Sequence, residues 1–341
     1  MHFPTYSPPW FLRQGLLMTL YGAFRFHRYW QHTLTDPEPA YREQVFTGSN
    51  GIPLFGWVAI PAQARGTLVA TYGITGSLQD QGLLRSWGTK AYASGYAVVL
   101  FDWRAHGRSA QMSSALTSDG IHEGPDFVCI ARQARDLGCP DPIWLGGYSL
   151  GGQLALWGIH TAQQWGDPIA GGVVLCPNLD GDRSLRYLEA HPTGRYLEQS
   201  ITRNLQKLIR ELAAYHPNDF DTEAIPRATS IRGFDHEFVI PRLGFDTVEA
   251  YYQASSPLPW LPQIEKPTLI IYAADDPIFD PILIPDLEAI AGQNPHIDLL
   301  LTQYGGHGGY VSGRACQQKL QDPDPWWAWN RALHWMNEQS C

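Results

Sequence analysis

The chain has 341 residues, enough for one large α/β domain with an insertion or for two small domains, and a composition 44% hydrophobic and 17% charged excludes global disorder. A net charge of −9 and an isoelectric point near 5.7 exclude the basic patch or stripe that nucleic-acid binding requires. Five cysteines (Cys129, Cys139, Cys176, Cys316, Cys341) are odd in number and show neither CxxC nor Cys/His metal spacing; a reduced compartment and no metal are expected, with the terminal Cys341 exposed.

In chain order, the N-terminus lacks the basic start, apolar core and small-residue cleavage site of a secretory signal, so a cytoplasmic location is expected. Residues 10–30 are rich in Leu, Phe, Tyr and Trp, carry Arg13, Arg25 and Arg28, and contain no acid. Their uncharged run, 14–24, is too short to span a bilayer. Two readings stand: a helix packed on the domain, or a basic aromatic helix in peripheral contact with a membrane. Asp36-Pro37-Glu38-Pro39 reads as a linker closing this segment at residue 40.

Two strand-like runs follow, 41–48 and 53–60, joined at Asn50-Gly51, a hairpin signal. Further strands are expected at 67–71, 97–102, 142–145, 171–175, 268–272 and 297–302. They alternate with helical stretches, which predicts the α/β class with a mostly parallel sheet flanked by helices. The segment 177–267 has no buried-strand run, and its stretch 197–212 repeats apolar residues at helical steps. It reads as a helical cap inserted into a core formed by 41–176 and 268–341. A last helix is expected over 325–339, opened by Asp324-Pro325, with Trp326, Trp327, Trp329 and Trp335 packing it on the sheet.

Gly147-Tyr148-Ser149-Leu150-Gly151 matches G-x-S-x-G, with the apolar strand Ile143-Trp144-Leu145 before it and a helix-prone stretch after it. A serine hydroxyl is a weak nucleophile until held against a base, and a sharp strand-to-helix turn projects it above a sheet. The base should lie downstream. His307, in Gly305-Gly306-His307-Gly308-Gly309, directly follows the last predicted strand, whereas His296 precedes that strand at the wrong end. The acid should follow the preceding strand, at Asp275-Asp276-Pro277; Asp276 is chosen to orient the imidazole, with Asp275 as the alternative. The oxyanion donors are expected to be the backbone N–H groups of Leu150 and of Ile74 in the loop 72–77. No cofactor is needed for this chemistry, and the partner implied is a small-molecule ester or lipid.

Five blocks together resemble the YheT-like branch of the α/β-hydrolases: Tyr72–Ser77, FDWRAHGRS at 101–109, GYSLGG at 147–152, SSPLPWLPQIEKPTLIIYAADDP at 255–277, and Gly305–Gly308. The resemblance covers residues 41–340 and implies an α/β-hydrolase fold with an inserted cap. It also implies a Ser/Asp/His hydrolase, esterase-like and lipid-related in some members, with the triad on Ser149, Asp276 and His307. The usual His-Gly opening of the oxyanion loop is Tyr72-Gly73 here, which is expected to change the polarity of the pocket. The usual Arg-Gly-His-Gly turn is Arg104-Ala105-His106-Gly107, a local change. His122, Glu123 and Asp126, together with Asp102 and His106, are read as structural hydrogen-bonding groups. An acyltransferase using the same triad and a catalytically silent lipid-binding protein are the rival readings; dehalogenase and epoxide hydrolase chemistry is disfavoured because those relatives place Asp at the elbow.

Overall fold

The computed structural model describes residues 5–26 and 28–339; the expectation for Cys341 lies outside them. The chain enters the sheet through a hairpin, β1 (Arg42–Thr47) and β2 (Pro53–Ala59), paired antiparallel from Thr47 opposite Pro53 to Arg42 opposite Val58. Asn50 and Gly51 both adopt positive φ, 57° and 76°, the conformation for which Asn-Gly is favoured. Six mutually parallel strands follow: β3 (Thr67–Thr71), β4 (Ala97–Phe101), β5 (Ile143–Tyr148), β6 (Gly171–Leu175), β7 (Thr268–Ala273) and β8 (Ile297–Thr302). The spatial order is β1-β2-β4-β3-β5-β6-β7-β8, with β2 antiparallel to β4.

Every residue of β3, β4, β6 and β7 is buried, because helices cover both faces of a parallel sheet and its strands become continuous apolar runs. The helix Leu150–Gln164 packs on β5 and β6 and against the helix Glu123–Asp136. On the sheet, the C-terminal helix Trp327–Gln339 meets the helix Gly82–Ala93: Trp329 stacks on Trp87 with ring centroids 4.4 Å apart, and Trp335 meets Trp144 edge-on at 5.3 Å. The tryptophans of this helix are therefore core residues.

Between β6 and β7 the chain forms helices only, from Gly181–Ala190 and Pro192–Tyr215 to Val248–Ser255. Pro192 opens the long helix at a position where its missing N–H costs nothing. The buried residues of that helix, Gly194, Glu198, Thr202, Leu205, Leu208, Ile209, Leu212 and Ala213, form one stripe that returns every three or four positions. Its apolar members, Leu205, Leu208, Ile209, Leu212 and Ala213, join Phe234, Phe238, Val239 and Tyr251 in a second apolar cluster separate from the core of the sheet.

The polar block around Asp126 joins the hairpin to the sheet. Asp126 accepts two N–H bonds from Arg104, at 2.7 and 3.0 Å, and one from the backbone of Ser49, at 2.7 Å, with both ionic side chains almost wholly buried. Glu123 accepts from the Ser118 hydroxyl and from the Ser118 and Gly120 N–H groups, while the His122 N–H donates to the Ser118 hydroxyl. A buried pair held by these further hydrogen bonds fixes local geometry rather than adding much net stability.

Candidate active site

β5 ends in two glycines and a tyrosine, and the helix behind it starts at Leu150, leaving Ser149 alone in the turn. Its backbone takes φ 55° and ψ −129°, a region costly for any residue with a Cβ. The turn is held open by steric necessity. A Cβ on Gly147 would lie 2.1 Å from the carbonyl oxygen of Gly151, and one on Gly151 would lie 2.3 Å from that of Tyr72. The motif glycines thus let the turn, the helix start and the strand end β3 nest together, with Ser149 opening on a cavity.

His307 lies on the loop after β8 and opens on the same cavity. Its Nδ1 is 2.8 Å from Oδ2 of the buried Asp276, just past β7. With Nδ1–H donating to the carboxylate, Nε2 keeps its lone pair for accepting a proton. The neighbouring aspartate does something else: Asp275 accepts the N–H of Gly306 at 2.8 Å, and so shapes the loop that carries the imidazole. Asp276 also accepts the N–H of Ile278 at 2.9 Å, and Phe279 meets the imidazole edge-on at 5.1 Å. His296 precedes β8, at the opposite end of that strand.

Gly73, Ile74 and Leu150 line the cavity beside Ser149. The loop of Ile74 is pinned from behind by His106. The N–H of Thr75 donates to Nε2 at 3.0 Å, and Nδ1 donates to the carbonyl of Arg104 at 2.7 Å, an arrangement that requires the neutral ring. Burial pushes the pKa of His106 down to about 4, consistent with that tautomer. Asp102 ties the rest of the loop, accepting from the Tyr72 hydroxyl at 2.6 Å and from the N–H groups of Leu78 and Arg108 at 2.8 and 2.9 Å. Tyr72 therefore corrects one expectation. Its side chain is wholly buried, its hydroxyl is spent on Asp102, and it takes no part in the cavity lining, so it does not set the polarity of the pocket.

A consequence for acid stability follows from His106. Its folded pKa lies below its ordinary 6.5, so the unfolded chain takes up the proton first. This contribution to stability is complete above pH 6.5 and lost as the pH falls toward 4, a change of roughly 3 kcal/mol. The variant His106→Gln cannot titrate. Urea unfolding curves across this window should show a smaller acid loss in the variant than in the parent, and equal losses would mean that His106 charges freely in the folded protein.

Two contributors carry no local sequence signal. Gln81 accepts the hydroxyl of Tyr148 at 2.5 Å and donates to the carbonyl of Thr75 at 3.1 Å, bridging the elbow to the oxyanion loop. Thr19, from the N-terminal helix Gly15–Tyr21, accepts the backbone N–H of His307 at 2.8 Å. Cys176 comes close as well: its Sγ and one ligand atom each of Asp276 and His307 all lie within 4.8 Å of one another. Burial holds this thiol well above its ordinary pKa, and a neutral thiol is a poor metal ligand.

The cavity has a volume of about 410 Å³. Beyond the serine its walls come from the helices between β6 and β7, including Leu185, Leu188, Ile201, Leu205, Leu208 and Phe234. Asp119 and Asp235 also border it; burial pushes the former up to about 6 and the latter well above the usual carboxylate range. A carboxyl held neutral at Asp235 lowers the charge at that end of the pocket.

An eight-stranded, mostly parallel sheet of this order, with a serine held at a strand-to-helix elbow on its carboxyl edge, is the architecture of the α/β-hydrolases. Residues 68–313 match the family described as the alpha/beta hydrolase fold, and the chain belongs to that family, in its YheT-like branch. It is 51% identical to the "Putative esterase slr0264" of Synechocystis sp., across 99% of this chain and 96% of that one. The "Putative esterase YheT" of Escherichia coli is 26% identical, across 82% of this chain and 79% of the relative. Human "Phospholipase ABHD3" is 25% identical, across 91% and 74%.

Proposed function

We propose that the chain hydrolyses carboxylic esters with an apolar acyl group through an acyl-enzyme on Ser149. The observation that carries this reading is the 2.8 Å contact between His307 Nδ1 and Asp276 on the wall of the cavity onto which Ser149 opens. In the proposed sequence His307 Nε2 takes the hydroxyl proton as Ser149 Oγ attacks the carbonyl carbon. The oxyanion rests on the N–H groups of Ile74 and Leu150, and the imidazolium returns its proton to the departing alcohol. Water, deprotonated by the same imidazole, then releases the acid.

The aliphatic wall of the cavity supports a long acyl chain, and the name of the human relative points toward lipid esters. The test is a series of p-nitrophenyl esters from acetate to palmitate. The expected result is a kcat/KM that climbs with chain length, by up to about fourfold per methylene while the chain still enters the pocket. A flat series would remove the apolar acyl site from the proposal.

A further inference from the structure

The helix Gly15–Tyr21 and the π-helical turn Gly22–Phe26 behind it are apolar on two sides, and the protein covers only one. The inner side is tightly fitted. Met18 is wholly buried, Thr19 holds the backbone of His307, and a Cβ on Gly15 would lie 1.7 Å from the carbonyl oxygen of Asp275. Leu17 and Phe24 lie on the outer side, with the half-buried Tyr21 between them in the chain packed partly against the core. Leu17 is 51% exposed and Phe24 74%. Phe11 packs edge-on against Tyr21 and against Trp10, itself 82% exposed, and extends the same patch. An all-round apolar helix implies a second apolar phase on its open side.

We infer that this face docks on a lipid surface bearing anionic headgroups, and that esters enter the cavity from it. Charge selects the partner. Arg13, Arg25 and Arg28 are exposed and close in sequence to Trp10, Leu17 and Phe24, and no acidic residue precedes Asp36, in a chain whose net charge is −9. Exposed arginines interleaved along the chain with exposed aromatic and aliphatic side chains match the headgroup and acyl layers of such a surface. Continuity sets the direction of entry: Thr19, Gly22 and Ala23 line the cavity, and Phe24 follows immediately on the outside. The entry route rests on the ester-hydrolase reading; the docking itself does not.

The experiment is co-sedimentation of the full chain, and of its Ser149→Ala variant, with vesicles of phosphatidylcholine alone and of an equal mixture with phosphatidylglycerol. Both proteins should pellet with the mixed vesicles and dissociate at high salt. Each Arg→Glu change at 13, 25 or 28 should weaken partitioning at least about fivefold, and the triple change Trp10→Ser, Leu17→Ser, Phe24→Ser at least about tenfold. The triple variant should hydrolyse soluble p-nitrophenyl butyrate like the parent while losing activity on a vesicle-borne ester. Absence of binding by the parent would overturn the inference, as would a dimer in solution that the triple variant dissolves, since the patch would then cover a second copy. Vesicle binding by a chain inactive on every ester would instead sink only the proposed chemistry.

Discussion

Replacement of Ser149 by Ala should reduce turnover of p-nitrophenyl butyrate by a factor on the order of 10⁴ to 10⁶, to a residue owed to binding and oxyanion donors alone. The strained φ of 55° at this position is paid equally by serine and alanine, since both carry a Cβ, so the fold should survive with an unchanged thermal midpoint. Labelling by a fluorophosphonate should vanish with the hydroxyl. His307→Ala should be comparably damaging, and the double variant no worse than either single one, because the groups act as a unit. Undiminished hydrolysis by Ser149→Ala would place the nucleophile elsewhere.

The second large effect separates the adjacent aspartates. Asp276→Asn offers the imidazole an amide in place of a carboxylate, favours the wrong tautomer and leaves the developing imidazolium without its counter-charge. A loss of kcat of about 10⁴-fold is expected. Asp275→Asn keeps an amide oxygen able to accept the N–H of Gly306, so the histidine loop should hold its shape and activity should fall only a few-fold. Steady-state kinetics on the two variants decides the matter, and the opposite ranking would exchange their roles.

The strands were legible wherever apolar residues run without interruption. The spans 67–71, 171–175 and 297–302 coincide with β3, β6 and β8, and Asn50-Gly51 does sit between the hairpin strands. β5 runs three residues beyond the expected 142–145, because Gly146 and Gly147 carry no side chain to signal a strand, although close packing demands them there. The stretch 197–212 lies within the long helix Pro192–Tyr215, whose ends its apolar spacing does not mark. Elbow, histidine loop and aspartate pair could be located because each follows its own strand. Gln81, Thr19 and Cys176 could not, since what brings them near the site is the folding of distant segments rather than any local pattern. The strand order, with β4 between β2 and β3, was likewise invisible along the chain.

The bond from His307 to Thr19 joins residues 288 positions apart. At ordinary elongation rates the helix that receives it leaves the ribosome on the order of tens of seconds before the loop that donates it. The nucleophile's turn and its sheet neighbours can form earlier, yet the imidazole stays unanchored until the segment around His307 has emerged. Nascent chains should therefore be inert toward esters until the loop that carries His307 has left the ribosome, an ordering imposed by connectivity alone.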